Sequence, residues 1–148
     1  MGPAQQRPDR RPSPGRFSLV TVPDDGGSLR DDLVTLVARW GLPLDREERA
    51  VASIAGAARY EEELRAALDD ALVRPLAAVV DELGRRSEAR GEPIEPHRLA
   101  LLGSVLQAFW WQRYMAAGDG AMTAEMVERV VDDVLVPITA PEAVLAPV

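Results

Sequence analysis

The chain has 148 residues, which fits one domain, and 47% of them are hydrophobic and 28% charged, as in an ordinary globular protein. It has no cysteine and one histidine, so thiol catalysis, disulfide bonds and metal sites built from cysteine or several histidines are excluded. No apolar run is long enough to span a bilayer and no secretory signal is recognisable, so we expect a cytoplasmic protein without membrane contact. The net charge is −7, and residues 17–148 hold 13 arginines against 23 acidic residues, a balance that disfavours binding to a phosphate backbone.

The N-terminal residues 1–27 are rich in proline, glycine and arginine, which is typical of a disordered or extended tail. Within this tail only residues 17–22 resemble a strand, and we expect them to be extended or docked on helices. A first helix is predicted to begin after Ser28, because Ser28 and Asp31 have the spacing of an N-terminal cap, and to end at Gly41.

Two further helices are predicted in the middle of the chain. One covers about residues 45–59, with Asp45 as its cap, and the next covers about residues 60–90 and is ended by Gly91. Pro75 lies inside the third helix, and because proline has no amide hydrogen we expect a kink there.

The last two helices are predicted from Pro96 to about Gly118 and from Thr123 to about Val136, where Pro137 should end the fifth. The fourth helix is apolar on two opposite faces, so neither face can be left in water. The predicted fold is therefore all-α, a five-helix bundle.

The predicted domain limits follow from these helices. We expect a helical domain over residues 28–136, preceded by the N-terminal tail and followed by a C-terminal tail over residues 137–148.

The chain has no recognisable catalytic motif, and we expect no enzyme activity, metal ion or cofactor. His97 stands in the first turn of the fourth helix, where a surface or loop-packing role is expected. Adjacent residues diverge by about 100° on a helix, so we expect paired aspartates to be solvated rather than to share a site. These pairs are Asp31-Asp32, Asp69-Asp70 and Asp132-Asp133.

Residues 107–115 hold four of the seven aromatic residues together with two polar ones, Gln107 and Arg113. Core and subunit-interface packing accounts for such a cluster, and so does a ligand pocket with apolar walls and a few polar groups. We expect a pocket between the first, third and fourth helices for a hydrophobic or aromatic small molecule, with Arg113 available to an acidic group. One of Trp110 and Trp111 should face it. The candidate ligand-binding residues are Trp40, Leu72, Leu76, Gln107, Trp111 and Arg113.

Several segments resemble a known family in their order and spacing. Residues 22–33 contain a Pro-Asp pair followed by Gly-Ser-Leu-Arg-Asp-Asp-Leu, residues 85–92 end in Arg-Gly-Glu, and residues 99–135 have the pattern of two final helices. Over about residues 20–136 the chain resembles the C-terminal domain of tetracycline-repressor-like (TetR) transcriptional regulators.

The resemblance implies a domain that senses a small-molecule effector and forms a homodimer, with the last two helices of each subunit in a four-helix bundle. The family's DNA-binding half is an N-terminal helix-turn-helix unit that residues 1–27 do not match, so we expect DNA contact only through a helix-turn-helix outside this chain. The alternative is a helical protein–protein interaction module with no ligand. The expected dimer-interface residues are Leu102, Leu106, Trp110, Val127, Val130 and Val134.

Overall fold

The computed structural model describes residues 20–115 and 122–141, and over these residues the chain forms helices and no strand, which confirms the all-α fold. The predicted tails lie partly outside the described residues, at positions 1–19 and 142–148. Within the described part the five helices are α1 (Leu29–Trp40), α2 (Arg46–Ala55), α3 (residues 62–89), α4 (Pro96–Met115) and α5 (residues 124–139), with a short 3-10 turn, Ala57–Arg59, after α2.

The starts of α1 and α2 are set by local caps, as predicted. The Ser28 hydroxyl accepts a hydrogen bond from the Asp31 amide at 3.0 Å at the start of α1. At α2 the Asp45 carboxylate accepts from the Glu48 amide, and the Glu48 carboxylate accepts from the Asp45 amide, both at 2.8 Å. Gly91 ends α3 with a φ of +82°, a conformation that glycine adopts without strain.

Both α3 and α5 contain a π turn just before a proline, Asp69–Val73 before Pro75 and Val131–Leu135 before Pro137. A proline lacks an amide hydrogen and clashes with the carbonyl four residues earlier, and a π turn relieves this by making room for one more residue. Helical structure then resumes and continues in α5 to Thr139. The prediction that Pro137 ends the fifth helix is therefore wrong, and the disturbance expected at Pro75 takes the form of this π turn.

The core lies between four helices: α1 packs against α3 and α5, and α4 packs against the same two. α2 packs on the outside, against α4. Fully buried leucines contributed by all four core helices fill the centre, and they are Leu33, Leu36, Leu83, Leu102, Leu106 and Leu135.

The segment before α1 docks on the bundle, which was one of the two expectations for it. Val20 is buried, and Arg39 of α1 donates hydrogen bonds to the Thr21 hydroxyl at 3.0 Å and to its carbonyl at 3.4 Å. The rest of the strand-like stretch, residues 17–19, lies outside the described residues.

Candidate functional site

Arg113, expected to receive an acidic ligand, forms an ion pair within the chain. Its Nη1 lies 2.8 Å from Oε1 of Glu48, and its Nη2 donates to the Leu42 carbonyl at 2.7 Å. The side chains of Arg113 and Glu48 are only 8% and 3% exposed. The guanidinium therefore ties α2 and the loop before it to α4, and the positive charge that an acidic ligand would need is already neutralised.

The tryptophans occupy different environments. Trp40 and Trp110 are buried in the core, whereas Trp111 is half-buried. The Trp110 and Trp111 rings meet edge to face, with centroids 5.4 Å apart and planes at 77°. Of these two side chains, Trp110 therefore lies in the core, while Trp111 packs at the edge of the core.

A cavity of about 470 Å³ lies in the groove between α3 and α4. Two of the expected ligand-binding residues, Leu76 and Gln107, are in its wall, while Trp40, Leu72, Trp111 and Arg113 are not. From α3 it is lined by Val73, Leu76, Ala77, Val80 and Asp81. From α4 it is lined by Pro96, Leu99, Ala100, Gly103, Ser104 and Gln107.

Two glycines shape this groove in different ways. A Cβ on Gly84 of α3 would lie 2.7 Å from Cδ2 of Leu99, so the missing side chain lets the helices approach closely there. A Cβ on Gly103 of α4 would lie 3.6 Å from the nearest Val80 carbon, which is ordinary contact. A Cβ on Gly103 thus fits in the cavity wall without a clash, while Gly84 permits close packing of α3 against α4.

Most of the side chains expected at a dimer interface are in the core of the single chain. Leu102 and Leu106 are fully buried, Trp110 is 2% exposed and Val127 is 3% exposed, so these four have no surface to offer a second copy. They belong to the core of the single chain, where α4 packs against α3 and α5, and α5 packs against α1. Of the expected set, Val130 is half-buried and Val134 is 39% exposed.

Both α4 and α5 also carry apolar side chains that are exposed to solvent. Arg98 near the start of α4 donates to the Ile138 carbonyl near the end of α5 at 3.1 Å, so these two helix ends are in contact. Leu101 is 50% exposed on α4, and Met126 and Val134 are 51% and 39% exposed on α5. We refer to the surface around Leu101, Met126 and Val134 as the outer face.

Asp32 is buried in an ion cluster that the sequence reasoning missed. Its carboxylate accepts from the Gly26 amide at 2.8 Å and from Arg90 at 3.0 Å, and it lies 3.5 Å from Arg86. Arg90 also pairs with Asp25, and the carboxylate of Asp32 raises the pKa of the Arg90 guanidinium. The expectation that Asp32 is solvated is therefore wrong: this carboxylate joins the segment before α1 to the end of α3.

A second interhelical pair joins α1 to α5. Arg30 donates two hydrogen bonds to Asp132, at 2.6 and 2.8 Å. The Arg30 hydrogen bond lowers the pKa of the Asp132 carboxyl, and Asp132 in turn raises the pKa of Arg30. Both side chains are over two-fifths exposed, so water screens the pair, and its contribution to stability is small.

His97 is exposed, as expected. Among the residues that the structure describes, no group of three or more potential metal-ligating side chains comes together. None of the described helices is both long and apolar enough to cross a membrane.

Comparison with known sequence families gives one match. A family model described as "Tetracyclin repressor-like, C-terminal domain" matches residues 23–134. The match includes the Asp32 ion cluster, the cavity between α3 and α4 and most of the outer face. No curated protein and no solved structure matches the chain.

Proposed function

Since the chain belongs to the family of tetracyclin repressor-like C-terminal domains, we propose that it binds a small-molecule effector and forms a homodimer, as the regulatory part of a transcriptional regulator. The observation that carries this proposal is the cavity of about 470 Å³ between α3 and α4. Its volume lies in the range of about 300–1,000 Å³ that is typical of small-molecule sites. Most of its wall is apolar, which suits a hydrophobic or aromatic ligand.

Effector binding is tested by the thermal stability of the chain in the presence of hydrophobic small molecules. A ligand at about one hundred times its Kd stabilises the folded state by about 2.7 kcal/mol, which raises Tm measurably. Gly103→Leu fills the cavity wall and should abolish the shift, whereas Ala50→Leu, an exposed site on α2, should preserve it. A shift that Gly103→Leu leaves unchanged would place the ligand elsewhere.

Dimerisation is proposed to use the outer face, where exposed apolar side chains lie on two adjacent helices. Stable interfaces bury about 800 Å² on each partner, and apolar side chains dominate their centres. Val134→Glu should therefore yield monomers in analytical ultracentrifugation. Ile54→Glu introduces the same charge at a residue that is 44% exposed on α2, and it should leave the dimer intact. Equal dissociation of both variants would remove the outer face as the interface.

The alternative, a helical module that binds another protein, draws on the same exposed outer face. Ligand binding in the cavity distinguishes the two functions. If no small molecule stabilises the chain and the chain sediments as a monomer, the interaction module is supported. A stabilising ligand that Gly103→Leu excludes supports the effector domain.

A further inference from the structure

We propose that the cavity between α3 and α4 takes an apolar molecule that carries a cationic ammonium group, and that Asp81 binds this group. The inference rests on the proposed function, because it names the ligand class of the same cavity. It reverses the expectation of an acidic ligand, for reasons that lie in the charges and hydrogen bonds around the groove.

Asp81 is the one charged residue among the described side chains that line the cavity, and it is exposed to solvent. It forms no ion pair with any other residue that the structure describes. The arginines nearest to it along α3 are already paired, Arg85 with Glu82 at 2.5 Å and Arg86 with Glu82 at 3.1 Å, and Arg74 pairs with Asp70 at 3.0 Å. The cavity wall therefore presents a carboxylate for which the helix supplies no counter-charge.

The other polar groups of the wall add acceptors rather than cations. The Ser104 hydroxyl donates its hydrogen to the Ala100 carbonyl at 3.1 Å, so only its lone pairs remain for a ligand. The Gln107 amide supplies a carbonyl oxygen as well as an NH₂ group. Acceptors of this kind complement an ammonium group, which has only N–H donors.

An acidic ligand has no comparable partner in this cavity. Arg113 is held by Glu48 and by the Leu42 carbonyl and is not part of the wall. A carboxylate ligand would instead lie beside Asp81 in a chain of net charge −7, and both the local and the overall electrostatic interactions would oppose it. The same two interactions attract a cation.

The test compares two probes with the same apolar body and opposite charge, 4-phenylbutylamine and 4-phenylbutyrate, with 4-phenylbutanol as the neutral reference. Isothermal titration calorimetry on the full chain gives the affinities. We expect the amine to bind about two- to fivefold more tightly than the carboxylate, the ratio that an ion pair with an exposed carboxylate contributes. Asp81→Asn should remove that preference. Glu88→Gln removes an equal charge from an exposed site on α3 outside the cavity and should preserve it.

The outcomes separate the inference from the proposed function. If none of the three probes binds, the ammonium site is overturned, and effector binding is decided by the thermal-stability experiment with other hydrophobic molecules. If the three bind with equal affinity, or if Asp81→Asn and Glu88→Gln weaken the amine equally, the ammonium site is overturned while the effector cavity stands. The comparison of probes on the unmodified chain needs no variant, so it decides the matter even if Asp81→Asn does not fold.

Discussion

Removing the negative charge of Glu48 should destabilise the chain far more than the loss of a single ion pair at the surface does. Glu48→Gln keeps the size of the side chain and an oxygen that accepts a hydrogen bond, so the α2 cap can persist. What disappears is the charge that neutralises Arg113, whose side chain is 8% exposed.

The magnitude follows from this burial. Breaking one partner of a buried ion pair costs about 3–5 kcal/mol, and a retained neutral hydrogen bond offsets about 1 kcal/mol of it. We therefore expect Glu48→Gln to lower the free energy of unfolding by about 2–4 kcal/mol. For a chain of this length each kcal/mol lowers Tm by about 3 °C, which predicts a decrease of about 6–12 °C.

The matched control is Glu125→Gln, which breaks an ion pair with Arg129 whose side chains are 77% and 70% exposed. This change should lower the free energy of unfolding by less than about 0.5 kcal/mol. Urea denaturation followed by circular dichroism, at one fixed protein concentration, measures both variants. In a double-mutant cycle, Glu48→Gln combined with Arg113→Gln should destabilise by less than the sum of the single changes. If Glu48→Gln and Glu125→Gln cost the same, the buried pair does not tie α2 to α4 as described.

The remaining predictions concern the groove, pH and DNA. Gly103→Ala should stabilise the chain by up to about 1 kcal/mol, since the new Cβ fits and alanine favours a helix. Gly84→Ala should stabilise it less, or destabilise it, because Leu99 must move. Equal Tm values of the two variants would show that α3 and α4 do not approach closely at Gly84. Because Arg30 lowers the pKa of Asp132 below its ordinary value of 3.8, the stability from this pair is present above about pH 4 and is lost as the pH falls through the lowered value. Asp132→Asn should therefore reduce the dependence of the free energy of unfolding on pH below about pH 4, measured in acid titrations. An unchanged dependence on pH would argue against the pair. The net charge of −7 predicts weak DNA binding without sequence preference, and a nanomolar affinity for one duplex at about 150 mM salt would contradict it.

How far the sequence predicts this molecule depends on the distance over which each interaction acts. The caps at Ser28 and Asp45 and the stop at Gly91 involve partners within a few residues, so reading the sequence locates them. Pro137 shows the limit of this reasoning, because the same residue that ends many helices is accommodated here by a π turn.

The candidate site depends on partners that lie far apart along the chain. Asp32 and Arg90 are 58 residues apart and Glu48 and Arg113 are 65 apart, and no local pattern pairs them. Asp31 and Asp32 show the consequence, since adjacent side chains on α1 diverge by about 100° and only the second turns into the bundle. An Arg-Gly-Glu segment at the end of α3 and the Asp-Asp pair of α1 were visible in the sequence, but their contact was not.

The sequence by itself determined the helical class, the capped starts of α1 and α2 and the family resemblance, because caps, periodicity and motif spacing are encoded over short stretches of chain. Only the tertiary structure decided which side of α4 is core: Leu102 and Leu106 are buried where α4 packs against α3 and α5, and Leu101 is left outside. It also decided that Arg113 neutralises Glu48, while Asp81 lines the cavity and forms no ion pair with another described residue. Both apolar sides of α4 have the composition of a core, and the positions of the neighbouring helices decide which side is buried.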